Sequence, residues 1–126
     1  MTSREVARWG EAEADRYLRR LGWEIVEANW SCRYGEIDRV ARDREGWVFI
    51  EVKARRSRSF GLPEEAVTPA KRRRLLRAAV TYLQEHNASD DPWRIDVIAI
   101  EGRPRRPPTR LDHYRDAIEA DEGAFP

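Results

Sequence analysis

The sequence predicts a mixed α/β fold, in which a central sheet of four to five strands is flanked by helices. Strand-like and helix-like hydrophobic patterns follow one another in the order α-β-β-β-α-β, with a short extra strand at the end. Short turns between the early strands make them antiparallel, whereas the helix before the later strand makes a parallel crossover. A chain of 126 residues suits one domain. We place this domain at residues 1–118 and expect a flexible acidic tail at residues 119–126.

The first predicted helix runs from Thr2 or Ser3 to Leu21, with Ser3 as the candidate N-cap. Glu11 falls inside the apolar stripe of this helix, whereas Glu13 is expected on an outer side. The stripe contains Ala7, Ala14, Leu18 and Leu21. Two interpretations of Glu11 stay open: a functional carboxylate aimed at the core side, and an edge residue paired with an arginine.

The next three strands comprise one at residues 23–30 and a hairpin at residues 35–56. Runs rich in Ile, Val, Phe and Trp on either side of an Asp-Arg-Glu-Gly turn predict the hairpin. A turn centred on residues 44 and 45 makes Arg42 face Trp47. The rest of the pairing register follows from this one pair.

The predicted register gathers charged side chains on one face of the hairpin. It places Asp38 opposite Glu51 and Glu36 opposite Lys53, and side-chain alternation puts all four on the same side. Facing carboxylates destabilise a sheet unless a proton, a cation or water separates them, and a hard divalent cation would satisfy both. The alternative is an ion-pair network that joins Glu36 to Lys53 and Asp38 to an arginine. A bulge would break the register on which both interpretations depend.

The second half of the chain predicts a basic loop, a helix and the remaining strands. The loop occupies residues 55–63. Thr68 as N-cap and Pro69 at the first helical position begin a helix that ends near residue 85. The last strands are expected at residues 94–101 and 111–114.

Basic residues concentrate between Lys53 and Arg77, although the net charge of the chain is only +1. This segment holds nine basic and two acidic residues, which favours a polyanion partner. Basic residues in the first turns of a helix oppose its dipole, and a bound phosphate would relieve the conflict; a solvated arginine cluster is the alternative. The only lysines are Lys53 and Lys71, and a lysine pKa shifts more readily than that of arginine. The candidates for nucleic-acid contact are Arg55, Arg56, Arg58, Lys71, Arg72, Arg73 and Arg74.

Cysteine usage and hydropathy set the expected compartment. Cys32 is the only cysteine, so the chain has neither a disulfide framework nor a four-cysteine zinc site, and we expect a cytoplasmic protein. No apolar run approaches the ~18 residues of a membrane span, and the N-terminus lacks the apolar region of a signal peptide. We therefore expect no membrane partner.

An ordered set of short motifs runs along most of the chain. It comprises Gly10-Glu11, Ala14, Tyr17-Leu18, Asn29-Trp30, Gly35-Glu36-Ile37-Asp38, FIEVKAR at 49–55, AVTPAKRRR at 66–74 and IDVIAI at 95–100. The set resembles the YraN-like uncharacterised bacterial protein family (UPF0102). The Asp followed by Glu-x-Lys also resembles the wider PD-(D/E)XK nuclease superfamily, to which archaeal Holliday junction resolvases belong.

This resemblance implies a restriction-endonuclease-like three-layer fold and a metal-dependent endonuclease. Asp38 and Glu51 would bind Mg²⁺ or Mn²⁺ together with the backbone carbonyl of Val52. Lys53 would orient or deprotonate the attacking water, and Glu11 matches a helix acid that some superfamily members add to the site. The implied partner is a nucleic acid, most of all DNA, with branched or damaged DNA as one candidate substrate, and the related resolvases imply a homodimer by analogy.

Three functions therefore stay open at the level of sequence. The first is a metal-dependent endonuclease acting on DNA, and the second is a non-catalytic nucleic-acid-binding protein that retains the nuclease fold. In the third, the acidic face is only a structural ion-pair network. The complete set of Glu11, Asp38, Glu51 and Lys53 favours the first, because a protein that does not cut has no need of all four.

Overall fold

Five strands and two helices follow one another in the predicted order in the computed structural model, which describes residues 1–57 and 67–119. The elements are α1 (Ser3–Arg20), β1 (Glu24–Cys32), β2 (Gly35–Arg42), β3 (Trp47–Arg55), α2 (Pro69–Glu85), β4 (Trp93–Glu101) and β5 (Arg110–Tyr114). Most of the predicted basic loop, and the predicted acidic tail beyond Glu119, lie outside the described residues. Neither described helix has the length and apolar character needed to cross a membrane.

The sheet has the strand order β1-β2-β3-β4-β5. Its only parallel pair in the described chain is β3 with β4, and α2 connects those two strands. The predicted hairpin register is confirmed from Arg42 opposite Trp47 to Arg39 opposite Ile50. The mixed sheet with helices on its faces confirms the predicted three-layer α/β fold.

Each helix covers its own face of the sheet, and alternate residues of β3 and β4 contribute to the two cores. The α1 side is built from Val6, Trp9, Ala14, Leu18, Val48, Ile50, Ile98 and Ile100. The α2 side is built from Leu75, Leu76, Ala79, Tyr82, Val40, Phe49, Ile95 and Val97. Ile118 is also buried on the α2 side, so the core extends to the end of the predicted domain.

The buried face of α1 differs from the predicted stripe, because Gly10 brings the helix close to β3. A Cβ atom built on Gly10 would lie 2.5 Å from the Cβ atom of Ala54. The helix is therefore turned so that Glu13 is 9% exposed, whereas Ala7 is exposed; both predictions were wrong. The buried residues of the helix are Val6, Trp9, Gly10, Glu13, Ala14 and Leu18.

Two element boundaries also differ from the sequence prediction. Thr2 rather than Ser3 is the N-cap of α1, since its hydroxyl accepts a hydrogen bond of 3.1 Å from the backbone N–H of Glu5. The strand β1 begins and ends later than predicted, so that only Arg33 and Tyr34 separate it from β2. This short turn lies next to the candidate functional site.

Candidate active site

A cleft of about 730 Å³ opens where β2 and β3 part, between α1, α2 and the β1–β2 turn. It brings together four predicted site residues that are far apart in the sequence, Glu11, Asp38, Glu51 and Lys53. From the predicted basic set it takes in Lys71 and Arg74, and Val52 also lines its wall.

Asp38 reaches the cleft because the ladder between β2 and β3 ends one pair before it. The last backbone pair is Arg39 with Ile50, and the Asp38 carboxylate then accepts a hydrogen bond of 2.8 Å from the Val52 N–H. A side chain thus replaces the next rung of the ladder. The carboxyl groups of Asp38 and Glu51 also hydrogen-bond to each other. The predicted meeting of these two carboxyl groups is confirmed, although the strands have separated.

Regular side-chain alternation breaks near the same point. Ile37 and Val40 would face opposite sides in a regular strand, yet both belong to the core on the α2 side. On the neighbouring strand, Asn29 lies between the pairs Ala28–Arg39 and Trp30–Ile37 and has a φ of +52°, in the left-handed region. The prediction that four charged residues share one regular strand face therefore holds only in part.

Burial, together with the hydrogen bond and the charge of Glu51, raises the pKa of Asp38 to about 8. The Val52 N–H and the charge of Lys53 act in the opposite direction but are outweighed. The pair therefore holds a proton between two oxygens at neutral pH. A cation would occupy such a position with the same effect on the two charges.

The oxygen donors at this point suit a hard divalent cation. They are the carboxylates of Asp38 and Glu51, together with the carbonyl of Val52 as the expected third ligand. In residues 1–57 and 67–119, no three acidic, histidine or cysteine side chains are grouped to hold a metal ion. The remaining ligands would thus be water and substrate oxygens, as is usual for Mg²⁺.

The two lysines of the chain meet in the cleft. Lys53 Nζ lies 3.6 Å from Glu51 Oε1, and both side chains are largely buried. Burial lowers the pKa of Lys71, and the neighbouring Lys53 lowers it further. A lysine that loses its proton more easily than usual can exchange protons nearer neutral pH. The sequence predicted Lys71 as a phosphate contact but did not predict its contact with Lys53.

Glu11 is paired with an arginine, as one of the two interpretations of the sequence expected, and it also lies at the cleft, where the other interpretation requires it. It lines the cleft, and its Oε1 accepts a hydrogen bond of 2.9 Å from Arg39 Nη1. The same Arg39 atom donates to the backbone carbonyl of Asp38 at 2.6 Å, and Arg39 Nε donates to Asp15 at 2.7 Å. Arg39 is 7% exposed and connects α1 to the strand that carries Asp38.

The predicted ion-pair network is wrong in both of its pairs. Glu36 lines the cleft but is exposed, and Lys53 pairs with Glu51 instead. The arginine next to Asp38 binds the Asp38 carbonyl rather than its carboxylate. Both differences arise because the ladder ends at Arg39, before the predicted pairs can form.

The predicted basic residues point in several directions, since successive residues on a helix are about 100° apart. Arg74 lines the cleft, and Arg73 is exposed. Arg72 donates to the carbonyls of Val67 and Ala117, at 3.3 and 3.2 Å, and so holds the chain that follows β5. At the end of β3, Arg55 and Arg56 line an adjoining pocket that Lys53 also borders. Arg58 lies outside the described residues.

Sequence reasoning missed three residues of the site. Arg39 could have been found as a charged residue among the apolar positions of β2. Cys32, a free half-buried thiol, and Tyr34 line the cleft from the β1–β2 turn. No sequence signal indicated those two, because their place depends on how the turn lies against α2.

The fold and the cleft define a class of three-layer α/β proteins with paired carboxylates and lysines at the end of the sheet. Residues 10–100 match the profile of "Uncharacterised protein family UPF0102", and the chain belongs to this family. The matched range contains Glu11, Asp38, Glu51, Lys53 and Lys71.

Three relatives illustrate how far the similarity extends. A UPF0102 protein of Beutenbergia cavernae is 48% identical over 110 residues, which cover 87% of this chain and 92% of the relative. A UPF0102 protein of Nocardia farcinica is 47% identical over 109 residues, with coverage of 84% and 83%. A UPF0102 protein of Roseiflexus castenholzii is 44% identical over 112 residues, with coverage of 88% and 90%. Their names state the family and no activity.

Proposed function

We propose that this protein is a Mg²⁺- or Mn²⁺-dependent endonuclease that hydrolyses phosphodiester bonds in DNA. The observation that carries the proposal is the contact between the buried carboxyl groups of Asp38 and Glu51, with Lys53 at 3.6 Å from Glu51. Folding gains nothing from placing two such groups together unless a cation or a proton compensates them. The likeness of these residues to the PD-(D/E)XK signature supports the same conclusion.

Each residue has a distinct role in the proposed reaction. Asp38 and Glu51 hold the cation, with the carbonyl of Val52 as a further ligand. When bound, Mg²⁺ supplies a Lewis acid that offsets charge on the phosphate and lowers the pKa of the attacking water. Lys53 orients this water or takes up its proton. The water oxygen bonds to phosphorus while a P–O ester bond breaks, which leaves a phosphate on one fragment and a hydroxyl on the other.

The positions of Glu11 and Lys71 support two further roles. Glu11 is fixed by Arg39 beside the carboxylate pair, where it can bind a water molecule of the metal shell. Lys71 and Arg74 border the same cleft and can hold phosphate oxygens, which positions a nucleic acid without reading its sequence. Arg55 and Arg56 would contact the backbone farther along the substrate.

The decisive experiment measures cleavage of labelled single-stranded, duplex, flap and four-way DNA, and of RNA, with Mg²⁺ or Mn²⁺. Wild type is compared with Asp38→Ala and Lys53→Ala, and with Glu36→Gln as a matched control, because Glu36 is an exposed carboxylate that lines the same cleft. We expect metal-dependent cutting of DNA by wild type and the control, and its loss in the other two variants.

Other outcomes separate the competing functions. Absence of cutting, with equal salt-sensitive binding of DNA by all four proteins, would establish a non-catalytic nucleic-acid-binding protein. Absence of both cutting and binding would leave the acidic cluster with a structural role only. Cutting of RNA alone would overturn the choice of DNA.

We also propose an oligomeric state and a cellular compartment for this protein. The likeness to resolvases suggests a homodimer, whose two-fold symmetry would suit a four-way junction. The use of a single cysteine favours the cytoplasm as the compartment. Sedimentation at several concentrations tests the first statement, and fractionation of cells that express the protein tests the second.

A further inference from the structure

The turn between β1 and β2 places an aromatic ring at the cleft. Cys32 pairs with Gly35 at the end of the hairpin, so that Arg33 and Tyr34 alone form its tip. Gly35 has a φ of +144°, and a Cβ atom built on it would lie 4.0 Å from the Cβ atom of Arg74. The tip therefore lies against α2, and Tyr34 lines the cleft that holds the carboxylate pair.

The Tyr34 ring is surrounded by guanidinium groups rather than by core side chains. The Cζ atoms of Arg33 and Arg77 lie 5.2 and 5.7 Å from the ring centroid. Among the described residues, Tyr34 is half-buried and belongs to neither core cluster. Packing in the apolar core therefore does not explain why position 34 is aromatic.

We propose that Tyr34 stacks an unpaired DNA base beside the scissile phosphate, while Arg33, Arg74 and Arg77 bind the flanking phosphates. This inference rests on the proposed function and specifies its substrate as DNA with unpaired nucleotides, such as a flap, a junction or a single strand. Every base offers a π-face, whereas a base inside a duplex has both faces covered by its neighbours. The platform consequently discriminates by strand structure and not by sequence.

A base can replace the guanidinium group that now lies at the Tyr34 ring. Arg33 is exposed at the tip of the turn, so its guanidinium can leave the ring for a phosphate when a base arrives. Arg74 is exposed on α2 and lines the same cleft, which extends the basic surface towards Lys71. A strand stacked on Tyr34 would thus run along α2 towards the carboxylate pair.

Fluorescence anisotropy tests the platform with a labelled duplex, the same duplex with an unpaired flap, and the flap strand alone. Ca²⁺ replaces Mg²⁺ to slow hydrolysis, and wild type is compared with Tyr34→Leu and Tyr34→Phe. We expect Tyr34→Leu to weaken flap and single-strand binding by about 5-fold to 150-fold, with duplex binding changed less than about twofold. Tyr34→Phe keeps the ring and should bind as wild type does. Tyr114→Leu, a change at an exposed tyrosine on β5, serves as the matched control and should have no effect.

The outcomes distinguish this inference from the proposed function. If wild type cuts DNA and Tyr34→Leu weakens binding of all three DNAs equally or of none, the platform is refuted and the nuclease stands. If no DNA binds to wild type, both fail. Selective loss on the matching RNA with none on DNA would also overturn the inference.

A second measurement on wild type keeps the inference testable should Tyr34→Leu not fold. A flap that carries 5-iododeoxyuridine at the unpaired position is irradiated in the complex, and the modified peptide is identified by mass spectrometry. We expect the cross-link at Tyr34. A cross-link confined to residues outside the cleft would refute the platform.

Discussion

Asp38 makes a favourable hydrogen bond, but its surroundings destabilise the ionised form of its carboxyl group. Its carboxylate accepts a hydrogen bond from Val52 N–H, yet burial and Glu51 raise its pKa to about 8. Residues selected for function commonly lower stability in this way. The stability of the metal-free protein should therefore report directly on this one carboxyl group.

Asp38→Asn should remove a dependence of stability on pH. Because the folded-state pKa lies above the ordinary 3.8, the bound proton contributes stability that is fully present below pH 3.8 and is lost as the pH rises through about 8. Asparagine copies the protonated form, since its amide can accept from Val52 and donate to Glu51. Urea unfolding in EDTA at pH 8 should find the variant more stable by about 1–3 kcal/mol. Equal pH dependence of wild type and variant would contradict the shared proton.

Divalent cations should offset this difference in stability. Added Mg²⁺ or Mn²⁺ should raise the Tm of wild type, because the cation binds the carboxylate pair of the folded protein. At a cation concentration of 100 times the Kd, the free energy of unfolding should increase by about 2.7 kcal/mol. Glu36→Gln should respond as wild type does, whereas Asp38→Asn should respond little. A thermal shift of the same size in all three proteins would place the cation elsewhere.

At the scale of elements, the contact between α1 and β3 sets the position of Glu11. Gly10 is the point of closest approach, and Glu11 follows it directly on the helix. Arg39 then ties Glu11 to the strand that carries Asp38. Packing and polar contacts at successive residues thus fix one acid of the site relative to the others.

Gly10→Ala should destabilise the protein even though alanine favours helices by about 1 kcal/mol. The added methyl would lie 2.5 Å from Ala54 Cβ, so helix or strand must shift, at a cost of about 1–3 kcal/mol. Urea denaturation measures the loss. The double variant with Ala54→Gly removes the opposing methyl and should be more stable than the two single effects predict. Strict additivity would show that this contact does not limit the approach of α1.

The hairpin shows how far sequence reasoning reaches for an element. Alternation and the turn predicted the register correctly from Arg42 to Arg39, because backbone pairs repeat regularly. The register could not predict that the Asp38 side chain would replace the next backbone rung. Likewise, the helical period gave the existence of α1, but Gly10 and Trp9 set which of its sides faces the sheet.

At the scale of the whole molecule, the fold converts a nearly neutral chain into a cleft with separated charges. Four basic side chains and four acidic side chains line it among the described residues, with the acids Glu11, Glu36, Asp38 and Glu51. With the proton that Asp38 and Glu51 share, the two charge signs nearly balance, and a bound divalent cation would make the cleft more positive. The net charge of +1 therefore conceals a site whose attraction for a polyanion depends on the metal.

DNA binding by wild type should strengthen about tenfold when Ca²⁺ is added at constant ionic strength. Without a divalent cation at neutral pH, Glu36→Gln should bind DNA more tightly than wild type, because it removes a negative charge from the cleft. Asp38→Asn should bind as wild type does, because the proton on Asp38 already neutralises that carboxyl group. Only Glu36→Gln should then gain further on addition of Ca²⁺. Anisotropy titrations measure all three, and a cation effect of equal size in Asp38→Asn would contradict a metal held by this carboxylate.

The meeting of Lys53 and Lys71 has a practical consequence for labelling chemistry. These are the only side-chain amines of the protein, and the only thiol, Cys32, lines the same cleft. An amine-directed dye or cross-linker can therefore react only there or at the N-terminus, and a maleimide only at Cys32. Conventional labelling of side chains would therefore modify the candidate site itself, so a reporter group is better attached at the N-terminus.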